Sequence, residues 1–187
     1  MPLIPTPILA ALGGYFFTYY NTRITEERKA QIERVNEQVR SLYGPLLACV
    51  TASKSAFEAM VHQHSPEAGD RNFVELVREN PEGREGQIYR QWMKEVLQPL
   101  NEKAADIIVR HADLLQSARM EPLLLQLVAH VSAYRVILKR WEAGDLNEWS
   151  AITYPDKLHE YVTEEFRRIK KRQADLLGIK EGIRSKL

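Results

Sequence analysis

Apolar or small residues recur at Ile32, Val35, Val39, Leu42, Leu46, Cys49, Ser53, Ala56 and Met60 in an alternating three-four spacing. That spacing is the seam of a long amphipathic helix, because residues three and four apart share one helical face. Tyr43, Leu47, Val50, Phe57 and Val61 widen the stripe beyond two positions per heptad, so several neighbours are predicted rather than one coiled-coil partner. The segment HQHSPEAGDRNFVELVRENPEGREG then breaks the pattern with Pro66, Gly69, Pro81, Gly83 and Gly86. It leaves room for one short helix around Phe73 to Val77, in an excursion at one end of the bundle.

A second helix is predicted from about Gln87 to Ala118, with Leu100, Ala104, Ile107, His111, Leu114 and Ala118 in step. A third starts with Pro122 in its first turn, where a missing N–H costs nothing, and closes at Gly144. A fourth starts the same way at Pro155 and ends before Gly178, carrying Val162, Phe166, Ile169, Gln173 and Leu176. No segment alternates with the period of a strand. The expected fold is all-α, an up-down-up-down four-helix bundle whose long first helix continues from an N-terminal hydrophobic segment. Pro45 and Pro99 interrupt two of these helices, and the heptad passes Pro45 in phase, which predicts a kink rather than a break. A break would leave Pro45 as the first residue of a new helix. Three parts follow: an anchor over 1–22, a helical domain over 23–178 and a basic tail over 179–187.

The opening run PTPILAALGGYFFTYYNTR is a membrane anchor, a removable signal or an apolar helix start packed on protein. No charge occurs from Leu3 to Tyr20, and as a helix that stretch spans about 27 Å against a hydrocarbon core of about 30 Å. Ile8, Leu9, Leu12, Phe16 and Phe17 supply apolar surface, while Tyr15, Tyr19 and Tyr20 suit the headgroup level. A signal peptide wants a basic start and a small-x-small cleavage site, and neither is well formed. The anchor is therefore the expected reading. Arg23, Arg28 and Lys29 follow the run and nothing basic precedes it, which puts the bundle on the cytoplasmic, matrix or stromal side.

Charge changes the picture only locally. Lys and Arg number 26 against 25 Asp and Glu, so no global field recruits nucleic acid. The end of helix four, however, reads RRIKKRQADLLGIKEGIRSKL, and an up-down-up-down path returns it to the anchored end. Arg167, Arg168, Lys170, Lys171 and Arg172 are candidate contacts to anionic lipid headgroups, each worth about 1 kcal/mol at such a surface. The alternative is a solvated helix end whose cations complement the helix dipole.

Little catalytic chemistry is legible. Cys49 is the only cysteine, in phase with the core stripe, and reads as a small buried hydrophobe. His111 and His130 fall at core positions at similar heights of an antiparallel hairpin, which suggests a buried polar pair near a layer of Val39, Leu42, Phe166 and Ile169. The inward carboxylates and Glu-x-x-His spacing of a metal bundle are absent, as are glycine-rich phosphate loops and nucleophile elbows. His62 and His64 read as a solvated helix end. No cofactor and no nucleic-acid partner is expected.

VNEQVRSLYGPLLA, WMKEVLQPLNEK, LLLQLVAHVSAYRVILKRWEAGD and YPDKLHEYVTEEFRRIKKRQADLLG together resemble a group of uncharacterised microbial proteins. Those proteins carry a short N-terminal hydrophobic segment before an all-helical domain. The resemblance covers Val35 to Gly178 and implies an anchored bundle, with no activity or site residue attached. The expected function is a non-enzymatic, membrane-tethered helical module, an accessory subunit or scaffold contacting lipids and a protein partner. A peripheral protein that binds or senses anionic lipid is the second reading, and a metal- or histidine-dependent enzyme the third.

Overall fold

The computed structural model describes residues 6–67, 69–116 and 119–179, with side chains from residue 14 in the first helix and from residue 73 in the third. The fold is all-helical, with no strand among the described residues. Helix α1 (Thr6–Glu37) runs through a π turn (Gln38–Tyr43) directly into α2 (Gly44–His64), one continuous rod. Helix α3 (Gly69–Glu79) follows, then α4 (Arg84–Trp92), a second π turn (Met93–Leu97) and α5 (Gln98–Arg110) as a second rod. Helices α6 (Pro122–Glu142) and α7 (Leu158–Leu177) complete the described chain. Five helical rods thus stand where four were expected. The extra one is α3, whose Phe73 and Val77 are buried, so the predicted short helix is a packed part of the core.

Both interior prolines directly follow the wide turns. Proline offers no N–H to the carbonyl four residues back and its ring crowds that carbonyl. A π turn resolves the conflict by lengthening the loop of the hydrogen bond. The Gly44 N–H reaches back to Val39 O and the Gln98 N–H to Met93 O, each spanning five residues. The expected interruption is therefore a local widening inside a continuous rod. At Gly44 the backbone is so close that an added Cβ would stand 2.5 Å from Val39 O. Around this turn the fully buried positions drift off the heptad, with Gln38 inside rather than Val39 and Val50 rather than Cys49.

The second rod ends at Arg110, short of the expected Ala118. His111 leaves the helix and Ala112–Leu114 forms a single 3-10 turn. Bending there tucks Leu114 into the core beside Val35, Leu42 and Ile169. The freed carbonyls find donors on the first rod: Arg34 Nη2 bonds Asp113 O at 3.0 Å and Gln38 Nε2 bonds Leu114 O at 2.7 Å. Helix α6 has the predicted limits, from Pro122 to a turn in which Gly144 takes a φ of 93°. Helix α7 starts three residues beyond Pro155, because Pro155 O accepts from Leu158 N and closes a turn first. Gly178 caps it in the left-handed region, at φ 71°, where glycine bears no Cβ penalty.

Helix α2 packs against α5 and α7, α5 also meets α6, and the later part of α1 meets α7. Three core clusters result. Met60, Phe73, Tyr89, Trp141 and their neighbours close one end, where Arg78 stacks over Trp149 at 5.1 Å. Leu46, Val50, Ile108, Leu127 and Leu158 form the middle. Leu42 and Ile169, with Val39 and Phe166 against them, share the cluster nearest the N-terminal arm, the layer expected from the heptad.

Candidate functional site

The most exposed apolar surface lies on the first half of α1. Every described residue from 14 to 31 is exposed on this single helix. Tyr15, Phe16, Phe17, Tyr19 and Tyr20 are 54–70% exposed, and Ile24 joins them. The side chains of Ile8, Leu9 and Leu12 lie outside those described. Two hydroxyls on the other side of the helix fold back on their own backbone: Thr18 Oγ1 donates to Gly14 O at 2.9 Å and Thr25 Oγ1 to Asn21 O at 2.8 Å. Their hydrogens thus need no water. The arm joins the body at Arg28, whose Nε and Nη2 bond Leu176 O at 3.2 and 2.8 Å. That contact brings the end of α7, with exposed Leu177 and Ile179, to the base of the arm. Among the described residues no helix is long and apolar enough to cross a membrane.

The five basic candidates divide. Arg167, Lys171 and Arg172 are exposed, with no ion pair or hydrogen bond among the described residues. Arg168 is engaged instead, paired with Glu165 and donating to Gln116 Oε1. Lys170 donates to Gln173 Oε1, and Gln173 in turn donates to Asn36 Oδ1 at 2.6 Å across to α1. Residues 180–187, which hold the remaining tail cations, lie outside the described residues.

The two core histidines have other partners than each other. His130 Nδ1 stands 2.8 Å from Ile152 O, and because a carbonyl only accepts, Nδ1 carries the hydrogen. Its ring lies 4.5 Å from Tyr134 and 5.6 Å from Tyr154. Burial pushes the imidazole below its usual range, with the Ile152 bond opposing in part. His111, where α5 ends early, is half-buried and within electrostatic reach of Glu37 on α1. Cys49 is half-buried against the middle cluster, and burial raises its thiol, which disfavours the thiolate. Among the described residues no group of three or more His, Cys, Asp or Glu is placed to hold a metal ion.

A cleft of about 180 Å³ lies between Tyr43 of the first π turn, residues Leu115, Gln116, Arg119 and Glu121, and α7. A larger concavity, along Phe17, Thr18, Asn21 and Thr22, is bounded by one helix alone and encloses nothing. In the cleft, buried Tyr43 donates from its hydroxyl to Glu165 Oε2 at 3.3 Å. Glu165 also accepts from Arg168 Nε at 3.1 Å. Tyr161, Arg119 and Glu121 complete the wall, and the buried Gln116 Nε2 has no hydrogen-bond partner among the described residues. Burial pushes Tyr161 up to about 12 and Tyr43 higher still, so both hydroxyls stay protonated near neutral pH. Reading the sequence misses this cleft, because its residues come from three distant segments and belong to no spacing motif. Set against known proteins, the chain matches no family model, no curated protein and no solved structure.

Proposed function

We propose that the chain is a non-enzymatic helical module held at a membrane by the α1 arm, serving there as an accessory subunit or scaffold for a protein partner. The observation that carries this reading is the exposure of Tyr15, Phe16, Phe17, Tyr19 and Tyr20 on a helix that is uncharged from Thr6 to Thr22. Aromatic rings of this kind suit the boundary between headgroups and acyl chains. Since the arm falls short of a free-standing span, it sits in that boundary with its apolar side down, and its self-bonded hydroxyls reduce the cost of burying the other side. Arg23 and Lys29 then lie at the base of the arm, close to the headgroup level.

In this reading the long rods follow an up-down-up-down path with α3 inserted after the first. Two contacts support it: the end of α5 meets α1 through Gln38 and Leu114, and the end of α7 meets it through Arg28 and Leu176. Extraction of native membranes with alkaline carbonate, followed by purification in mild detergent, tests the proposal. Retention in the pellet and a stoichiometric protein complex are expected. Release as a lone, lipid-free protein contradicts it.

A second reading, recognition of anionic lipid, draws on exposed Arg167, Lys171 and Arg172, which have no ion pair among the described residues and belong to the helix whose end meets the arm's base. Their replacement by Gln is then expected to lower binding to anionic vesicles and leave binding to neutral ones unchanged. Equal loss on both vesicle types contradicts that reading.

A further inference from the structure

We propose that the outer face of α6 pairs antiparallel with the same face of a second copy of this chain. Helix α6 sends Leu124, Leu127, Val131 and Trp141 into the core. The line opposite holds Leu125, Ala129, Ser132 and Val136, spaced four, three and four. Leu125 is 50% and Val136 55% exposed. Between Pro122 and Lys139 the only Lys, Arg, Asp or Glu is Arg135, which Glu102 of α5 holds at 2.7 Å. The Ser132 hydroxyl donates to Val128 O at 2.8 Å, so its hydrogen stays satisfied when water leaves. The pairs Arg135–Glu102 and Glu142–Lys94 set α6 antiparallel to the second rod. Val109, 62% exposed, follows Glu102 by seven residues and Val128 precedes Arg135 by seven, so the two valines repeat that pairing two turns further on and widen the apolar face.

The spacing and the charges select the occupant. A two-fold pair must match the face to itself, so that if one residue meets another across the axis the reverse contact also forms. Centred between His130 and Val131, reversal sets Leu125 of one copy against Val136 of the other and Ala129 against Ser132. The ends then meet by apolar contact, and the small residues at the centre let the backbones approach. In the same register Glu121 meets Lys139 and Arg140, twice over. Lys139 is exposed, with no ion pair or hydrogen bond among the described residues. A parallel pair instead sets Glu121 on Glu121 and Lys139 on Lys139, which like charge opposes. Helix α6 runs from the middle cluster to the one farthest from the arm, so reversal sends the two arms out at opposite ends and leaves both uncovered.

Sedimentation velocity of the full chain, from about 1 to 100 µM, tests the pairing on wild type and on a variant with Tyr15, Phe16, Phe17, Tyr19 and Tyr20 replaced by Ser, which removes association through the arm. Both are expected to pass from monomer to dimer as concentration rises. Leu125→Lys combined with Val136→Lys changes exposed positions only, so helix content should be unchanged while the dissociation constant rises at least tenfold. Cross-linking reads the direction. In a Cys49→Ser background, chains with Leu125→Cys and chains with Val136→Cys should form disulfide dimers when mixed and not separately, because antiparallel pairing holds each position about 16 Å from its own copy. The proposal is overturned by a monomer at every concentration, by a dimer that vanishes in the arm variant or persists unweakened in the lysine variant, or by Leu125→Cys chains that cross-link to one another.

Discussion

Gln38 shows how a polar residue is kept inside the core: only 2% exposed, it gives its amide hydrogen to Leu114 O, a carbonyl freed where α5 ends. Gln38→Ala removes that donor and opens a cavity, and a buried acceptor left unpaired costs about 1–3 kcal/mol. The Gln38 Oε1, itself buried with no hydrogen-bond partner among the described residues, is removed as well and offsets part of that cost, so urea denaturation should show a net loss of about 1–3 kcal/mol. His130 makes stability depend on pH. Its folded pKa is depressed below the ordinary 6.5, chiefly by burial, so the unfolded chain takes up the proton first as pH falls. The contribution is complete above about 6.5 and declines below it. Unfolding free energy should therefore fall between pH 7.5 and 5, and less steeply in His130→Gln. The core position of His130 was legible from spacing, whereas its partners were not, because Ile152 and Tyr154 sit in an irregular connection that no period marks.

At the scale of the element, the two prolines are answered by two π turns. Replacing an interior helix glycine with alanine ordinarily stabilises by about 1 kcal/mol. At Gly44 the sign should reverse, since the added Cβ would meet Val39 O at 2.5 Å and a backbone atom has nowhere to move cheaply. Gly44→Ala is expected to lower stability by about 1–3 kcal/mol, read as a shift of the thermal midpoint with helix content unchanged. Helix limits set by local chemistry were legible: Pro122 opens α6, Gly144 closes it and Gly178 caps α7. Limits set by distant partners were not. The heptad carries α5 on to Ala118, yet Leu114 turns into the core and Arg34 and Gln38 take the carbonyls. A count of periods also has no mark for a widened turn, which is why the buried face drifts from Val39 to Gln38.

For the whole molecule, the arm is the feature that packing within the chain does not explain. At 1.5 Å per residue, the stretch from Thr6 to Glu27 extends about 33 Å, and among the described side chains of α1 Arg28 is the first tied to another helix. Burying the exposed part of each of five aromatic rings contributes on the order of 1–2 kcal/mol, so together they can hold the helical body on a bilayer. The hydrophobicity of this stretch was plain in the sequence. That its aromatic residues remain uncovered after folding required the positions of α5 and α7, which meet the rod only beyond it. Vesicle flotation of the full chain tests this claim most directly, comparing wild type with a variant in which Tyr15, Phe16, Phe17, Tyr19 and Tyr20 are all Ser. Wild type should float with neutral and anionic vesicles while the variant, with unchanged helix content and melting temperature, stays at the bottom. Equal flotation of the two, or wild type remaining unbound, would contradict attachment through the arm.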